Sequence, residues 1–505
     1  MSRLKPIDKN PFLYQENAFF WLWRLEQRYR RTLSLGTIPE EAWDDLAASA
    51  CGGMVWLMGI WQRSPAARRQ ALHSAALGQA MRQSVPDYTD KDVCGSPYAV
   101  YRYQPDARVG TGKELLQARQ KLHNRGVRLI LDFVPNHVAM DHPWIKKYPE
   151  YFISAPAERA LSYPDLFFHG TASKRYFAHG KDPYFAPWQD TVQVDISHSQ
   201  ARCALQEQLL RMAKYCDGVR CDMAMLLISG IYRATWAAWL LENIRDVPEF
   251  WTETIAMVKR QFPKFIFIAE VYWDREAELQ HMGFDYTYDK RLYDYLRDGR
   301  VQEIRKHLQT ADAYLSRGVH FVENHDEPRA AAVWERKQSY AAATIALGGP
   351  GVRFIHSGQR DGNTVATPIQ LCRPAVEPVH RPTQKFYGLL EVFLRSDACR
   401  MGIWSVPAVF DATDSASPRS NVLSGMWQAD EQRSLWIVNY SSQPARAVIA
   451  LPPADASATL PVLNLTDMLS KTVVNFNLRR YGGVSPQWVA AVRLDAWQVM
   501  LLKNY

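Results

Sequence analysis

Four apolar runs in this 505-residue chain end in side chains that can carry charge or accept a proton. VRLILDFVPNH offers Asp132, Asn136 and His137, GVRCDM offers Arg220 and Asp222, FIFIAEVYW offers Glu270, and VHFVENHDEPR offers Asn324, His325 and Asp326. A carboxylate set directly after four or five apolar residues is costly to desolvate unless it is paired or used. A structural ion pair or a cap accounts for any one of them alone. Four repeats of the pattern shift the reading towards chemistry. Arg220 and Asp222 lie two apart, so on a strand both point to one side while Cys221 points to the other. An Arg beside an Asp keeps the Asp ionised, whereas Glu270, closing the most apolar run, is placed to hold and donate a proton. Two carboxyl groups held in different protonation states are what cleavage of a glycosidic bond requires.

The elements that must position these groups are legible as short apolar runs. They are MVWLMGIW (54–61), VRLILDFV (127–134), GVRCDM (218–223), FIFIAEV (265–271), VHFVEN (319–324) and GVRFIHS (351–357). All are apolar on successive residues, as strands of a parallel sheet covered on both faces must be. Between them lie segments such as GKELLQARQKLHNRG (112–126), where Leu115, Leu116, Ala118 and Leu122 predict an amphipathic helix ended by Gly126. FLYQENAF near the start and FDYTYD (284–289) bring the strand count to eight. The expectation is an α/β fold, a (β/α)8 TIM barrel with its site at the carboxyl ends of the strands.

Two stretches break the rhythm. Residues 138–197 are rich in Pro, His, Phe and Tyr and are too long for a simple connection, which predicts a small subdomain inserted after the third strand. Beyond residue 395, SLWIVNY, RAVIAL, TVVNF and AWQVMLL alternate with Pro, Ser, Asp and Gly turns and predict a C-terminal antiparallel β-sandwich domain. The expected division is therefore 1–137 and 198–394 for the barrel, 138–197 for the insertion and 395–505 for the β domain.

Composition narrows the function classes. Length alone suggests about three domains at roughly 150 residues each, or one large barrel with attachments. With 47% hydrophobic and 22% charged residues the chain can bury a large core, which excludes disorder and a disulfide-stapled module. The net charge of +8 is spread among interleaved acids and bases, the densest spots being pairs such as Arg30-Arg31 and Arg68-Arg69, so no nucleic-acid partner is expected. Seven cysteines without a CxxC pair point to a reducing compartment. The first thirty residues lack a signal-peptide pattern, and the longest apolar run, 54–61, is far short of the ~20 residues that span a bilayer. A cytoplasmic protein without membrane partners is the expectation. VGTGKE (109–114) contains GTGK, but Glu114 stands where a phosphate loop needs a hydroxyl, so it reads as a turn leading into a helix.

DFVPNH (132–137), GVRCD (218–222), AEV around Glu270 and ENHDE (323–327) resemble, in order, the four signature regions of the α-amylase superfamily of retaining glycoside hydrolases. SPYAVYRY and VGTGKE at 96–114 resemble the segment leading to that family's third strand. The resemblance covers roughly residues 11–390, and the β-rich tail fits the family's C-terminal domain. It implies Asp222 as nucleophile, Glu270 as general acid/base, and Asp326 as the carboxylate that orients sugar hydroxyls and stabilises the transition state. It further implies that Arg220 holds Asp222 anionic, that His137 and His325 hydrogen-bond the reacting ring, and that Tyr98 stacks on its apolar face. Most of the 17 Trp and 24 Tyr are expected in cores; those near strand ends, such as Trp273, are candidates for sugar contact.

No cofactor is required for such chemistry. The resemblance does imply a structural calcium held by Asn136 and Asp195, with Asn136 as a purely local hydrogen-bonding residue the alternative. Two departures concern the acceptor side: Met225-Leu226 stand where many members have Lys-His, and HSGQRDG lacks the Glu that often follows Gly-Gln. The implied substrate is an oligosaccharide or α-glucoside, with α-glucosidic bonds of malto-oligosaccharides or related α-glucans cleaved through a covalent glycosyl-enzyme. The α linkage comes from the resemblance alone. A transglycosylase, a sucrose-type enzyme or a phosphorylase of the same superfamily, and a non-catalytic relative, remain alternatives. Oligomeric state is not legible in the sequence.

Overall fold

The computed structural model describes residues 4, 6–170, 175–240, 247–411, 421–452, 461–481 and 487–504. Eight strands close into a parallel barrel: β1 (Phe12–Asn17), β2 (Met54–Met58), β3 (Arg128–Phe133), β4 (Gly218–Cys221), β5 (Ile266–Ala269), β6 (Tyr286–Tyr288), β7 (Gly318–His320) and β8 (Val352–His356). They follow one another around the barrel in chain order, and β8 neighbours β1. Each arises from an apolar run or from one of the two weaker candidates. β2 and β8 are buried along their whole length, as the run of successive apolar residues requires.

One run behaves differently from its reading as a single strand. MVWLMGIW stops pairing in the barrel at Met58, because Gly59 takes a φ of +77° that only glycine adopts cheaply. Trp61–Arg63 then pairs antiparallel with Val100–Pro105, outside the barrel. The turn frees the Gly59 amide to donate to Asp132 Oδ2 at 3.1 Å, so the break serves the strand-end cluster.

The helix Gly112–Asn124 shows how local signals set an element. Thr111 and Glu114 form a capping box, with the Glu114 carboxylate accepting from the Thr111 amide at 2.7 Å and Thr111 Oγ1 accepting from the Glu114 amide at 3.3 Å. Glu114 thus caps the helix as the turn reading of VGTGKE expects. Leu115, Ala118 and Leu122 are its buried face. At the other end Gly126, with φ +76°, donates to His123 O at 2.9 Å while the Val127 amide donates to Leu122 O at 3.0 Å, a Schellman closure.

The stretch between β3 and β4 carries its own small sheets. His137–Ala139 pairs antiparallel with Thr191–Gln193, and Tyr176–Ala178 is the middle of a three-stranded sheet with Ser154–Ala155 and Phe167–His169. The C-terminal region is two antiparallel sheets. One orders residues 403–405, 422–429, 432–439, 499–503, 462–467 and 472–477; the other orders 409–411, 445–450, 487–494 and 479–481. Val422, Leu435 and Ile437 of the first share a core with Ala447, Ile449 and Val492 of the second, the sheet-on-sheet packing of a sandwich.

The chain divides into two compact units. One is built on Leu13–Tyr288 with Ala366–Val376, the other on Pro6–Phe12, Asp289–Val365 and Glu377–Tyr505. Within the second, the arginine of GVRFIHS is explained: Arg353, buried in β8, donates to the carbonyls of Leu347 (3.2 Å), Leu394 (2.7 Å) and Cys399 (3.2 Å). It ties the strand to the last turns of three helices, whose final carbonyls need donors.

A Cβ at position 126 would meet no atom within 4 Å, so Gly126→Ala tests the left-handed backbone alone and is expected to cost about 1–2 kcal/mol. Arg353→Leu leaves three buried carbonyls without their charged donor, each such bond being worth about 1.5–3 kcal/mol, and should lower the thermal midpoint well beyond Gly126→Ala. Thermal denaturation followed by circular dichroism checks both the sign and the order.

Candidate active site

The first unit assembles a charged cluster from successive strand ends. Arg220 sits in β4 in register with Asp132 of β3 on one side and Ile268 of β5 on the other. Two residues on, Asp222 follows the strand, and its amide is fixed by Phe133 O at 2.8 Å. The Glu270 amide is fixed in the same way by Cys221 O at 3.0 Å. Parallel pairing therefore brings Asp222 and Glu270 to neighbouring strand ends. Arg220 Nη1 lies 2.8 Å from Asp222 Oδ1 and Nη2 lies 2.9 Å from Glu270 Oε1. The three side chains are 0%, 6% and 4% exposed.

This geometry adds a second partner to the one expected for Arg220: its fork joins Asp222 and Glu270. Burial opposes the guanidinium charge, yet Glu270, Tyr98, Tyr288 and Asp222 together hold Arg220 well above its ordinary pKa. Its carbon also lies 5.0 Å from the ring centroid of Trp56, 5.2 Å from Tyr98 and 5.7 Å from Tyr288, within cation–π range. Tyr98 thus touches the cluster through Arg220.

Glu270 has two further partners. Tyr272 Oη donates to Oε1 at 2.8 Å and the Met223 amide donates to Oε2 at 2.7 Å. The second contact depends on Met223 holding φ 44°, ψ 45°, a left-handed conformation directly after Asp222. A bulky residue in that region is held only by surrounding contacts and is a mark of functional sites. Sequence reasoning did not single out Tyr272, although its place two residues beyond Glu270 was a usable signal. Trp56 had none, because only the assembled barrel, in which β3 stands between β2 and β4, brings its ring 5.0 Å from the Arg220 guanidinium.

Asp132 is anchored rather than free to act. Trp56 Nε1 donates to its Oδ1 and the Gly59 amide to its Oδ2, both at 3.1 Å, and burial pushes its carboxyl up to about 7 against the opposing charge of Arg220. His137 Nε2 stands 3.9 Å from Asp222 Oδ2, and its ring lies against Trp188 with centroids 4.9 Å apart. Burial pushes its pKa down to about 4, with Glu270 opposing, so its imidazole is neutral at physiological pH.

His325 and Asp326 belong to the second unit and follow β7. His325 Nε2 is 3.1 Å from Asp326 Oδ2, and the histidine side chain is 2% exposed against 41% for the aspartate. An Asx turn shapes the segment: Asn324 Oδ1 accepts from the amides of Asp326 (2.8 Å) and Glu327 (2.9 Å). Glu323 lies beneath it, buried and paired with Arg329 at 2.7 Å. Of the ENHDE motif, Glu323 and Asn324 are scaffolding and Asp326 presents its carboxylate outwards.

The residues expected to hold calcium are committed elsewhere. Gln193 Nε2 donates to Asn136 Oδ1 at 3.0 Å, and the Asn136 amide nitrogen faces Gln193 Oε1 at 3.3 Å. Asp195 Oδ1 accepts from the Ser197 amide at 2.9 Å and from Ser197 Oγ at 2.5 Å. Among the described residues no group of three or more His, Cys, Asp or Glu side chains is arranged to hold a metal ion. The donor set therefore fits hydrogen bonding better than calcium. No disulfide joins any of the seven cysteines, and among the described residues no helix is long and apolar enough to cross a membrane.

A family model described as the α-amylase catalytic domain matches residues 98–370, more than half of the chain. The chain is 26% identical over 261 residues to the α-amylase MalA of Haloarcula japonica, covering 50% of this chain and 34% of that protein. It is 24% identical over 151 residues to the probable oligo-1,6-glucosidase 2 of Bacillus subtilis, covering 28% and 27%. The chain thus spans between about a quarter and about a third of the length of these relatives. The noncanonic maltogenic α-amylase AmyB of Thermotoga neapolitana shares its fold, with a TM-score of 0.66 at 18% identity over 98% of this chain and 99% of that one. With a barrel of eight parallel strands, carboxylates following β4, β5 and β7, and this family match, the chain belongs to the α-amylase family.

Proposed function

We propose that the chain is a retaining glycoside hydrolase that cleaves α-glucosidic bonds in malto-oligosaccharides or related α-glucans. The observation that carries the reading is the single buried guanidinium of Arg220 shared by Asp222 and Glu270. One fork spanning both makes the carboxyl groups close neighbours. A retaining mechanism needs such a pair, about 5 to 5.5 Å apart, whereas inverting enzymes leave roughly 6.5 to 9.5 Å for a water molecule.

In the proposed cycle Asp222 attacks the anomeric carbon, the bond to the leaving oxygen breaks, and the Glu270 proton passes to that oxygen. The Asp222 charge is then consumed in the glycosyl ester, Glu270 loses a repelling neighbour and keeps Arg220, and its carboxylate stays ionised and available as the base. It takes a proton from water, whose oxygen attacks the anomeric carbon on the face the leaving group vacated and releases Asp222. The Met223 amide and Tyr272 hydroxyl hold Glu270 in position throughout. Asp326, with His325, is assigned to the sugar hydroxyls, His137 to a neutral hydrogen bond with the reacting ring, and Tyr98 to its apolar face. A location in a reducing compartment, the cytoplasm, completes the reading and accords with seven cysteines that form no disulfide.

The test is to incubate the protein with maltoheptaose, sucrose, trehalose and isomaltose, with and without phosphate, following products by NMR. Release of sugar in the α configuration is expected; β sugar appearing first overturns retention, and longer chains or a sugar phosphate would establish transfer or phosphorolysis instead. Asp222→Asn is expected to abolish turnover and Glu270→Gln to lower kcat/KM by about 10²–10⁴ while both variants remain folded by circular dichroism. Near-wild-type rates for either variant would refute the assignment. Because Gln193 occupies Asn136, the thermal midpoint should be the same in excess calcium and in chelator, while Gln193→Ala lowers it.

A further inference from the structure

Where the strand Val100–Pro105, the turn after His137–Ala139 and the end of the helix Ser199–Met212 meet, the first unit holds a cavity of about 390 Å³. None of Arg220, Asp222 and Glu270 lines it. Arg102 and Gln104 reach it from the strand, two positions apart and so on one face. Gln208, Arg211 and Lys214 reach it from the helix and the residues just beyond, at a spacing of three. Among the described residues no Asp or Glu lines the cavity.

The ordinary complement of a helix end does not account for this charge. Cations near the last turn are expected on dipole grounds, and Arg211 is in addition paired with Glu207 at 2.9 Å. Arg102 belongs to a strand, which has little dipole to satisfy. Its guanidinium carbon lies 5.3 Å from the Tyr101 ring centroid. Among the described residues neither Arg102 nor Lys214 has a carboxylate within ion-pair distance.

A buried donor lines the same cavity. His142 is 6% exposed, and its Nδ1 accepts from the Trp144 amide at 3.1 Å. Burial, with the Arg102 charge adding to it, pushes its pKa down to about 3, so the imidazole is neutral and its proton stands on Nε2. That N–H has no acceptor among the described residues and is not closed off from solvent. The Tyr215 hydroxyl and the Gln104 and Gln208 amides likewise make no hydrogen bond to another described residue. Tyr103 fixes the wall to the barrel: its hydroxyl donates to Val134 O at 3.0 Å and accepts from the Val134 amide at 2.9 Å, directly after β3.

We infer that this cavity binds a phosphate monoester of a small hydroxylated molecule. Such an ester carries about −1.5 to −2 charge near neutral pH, which matches two unpartnered cations, whereas a carboxylate leaves one unbalanced. A planar guanidinium forks onto two phosphate oxygens, and an ammonium adds a point charge. The His142 N–H, the Tyr215 hydroxyl and the two amides are then left for hydroxyl groups. The volume falls within the roughly 300–1,000 Å³ of small-molecule sites and exceeds what phosphate alone fills. The inference stands independently of the glycosidase reading.

The test titrates the full chain calorimetrically with glucose 6-phosphate, inorganic phosphate and glucose at neutral pH and low salt. Glucose 6-phosphate should bind with a Kd about tenfold or more below those of the other two, because it alone engages both walls. Arg102→Gln and Lys214→Gln should each weaken it about tenfold, since each removes a charge-assisted contact. Lys113→Gln removes the same charge from an exposed lysine outside the cavity and should change Kd by less than about twofold. In NMR of the histidine ring nitrogens, glucose 6-phosphate should shift the His142 Nε2 resonance, identified by its loss in His142→Phe, and the shift should vanish when Arg102→Gln and Lys214→Gln are combined. Inorganic phosphate binding as tightly as the ester overturns the inference in favour of a free-anion site. Binding that survives both substitutions, falls equally in Lys113→Gln, leaves His142 unmoved or does not occur overturns it as well.

Discussion

A guanidinium with no contact with solvent is tolerable only when charge surrounds it, and Arg220 is the group around which the strand ends are arranged. Asp222 and Glu270 neutralise it directly, and the rings of Trp56, Tyr98 and Tyr288 add their negative faces. In a low-dielectric interior these interactions are mutually dependent, because removal of one partner exposes the others to an uncompensated charge. The same arrangement couples the two carboxyl groups. Any event that consumes the charge of Asp222 changes what Arg220 and Glu270 experience, and that coupling is what a two-step displacement needs from its scaffold.

Parallel pairing delivers the precision. Asp222 and Glu270 do not sit on flexible loops; their amides are the last rungs of the β3–β4 and β4–β5 ladders. Where the chain leaves the strands it does so through conformations that side chains resist. Gly59 turns β2 away and supplies an amide to Asp132, Met223 turns back to supply one to Glu270, and Trp273 turns its ring towards Tyr184. These three turns lie within a few residues of the charged cluster in sequence, whereas the capping box and Schellman closure of Gly112–Asn124 follow ordinary local preference.

The departures from the commoner family pattern take on structural meaning. Met225 and Leu226 are core residues of the turn after Asp222, buried rather than presented to solvent. At the junction where calcium was expected, the Asn136 and Gln193 amides bind each other, which links the end of β3 to the returning strand Thr191–Gln193 by direct hydrogen bonds.

The sequence by itself determined the eight strands, the amphipathic helix at 112–124, the β-rich tail and the placing of Asp222, Glu270 and Asp326 just beyond strand ends. These rest on local information: successive apolar residues, capping and turn chemistry, and motifs whose spacing survives being read along a line. It also placed Arg220 and Asp222 on one side of a strand, because that follows from a period of two. What only the tertiary structure decided was which groups share a partner. That Arg220 also holds Glu270, that Trp56 reaches Asp132, that Gln193 satisfies Asn136, and that Tyr184 meets Trp273 across 89 positions are consequences of strand register, barrel closure and the path of the insertion. Contacts between distant residues carry no periodic or local signature, since each depends on where the rest of the chain has already been packed.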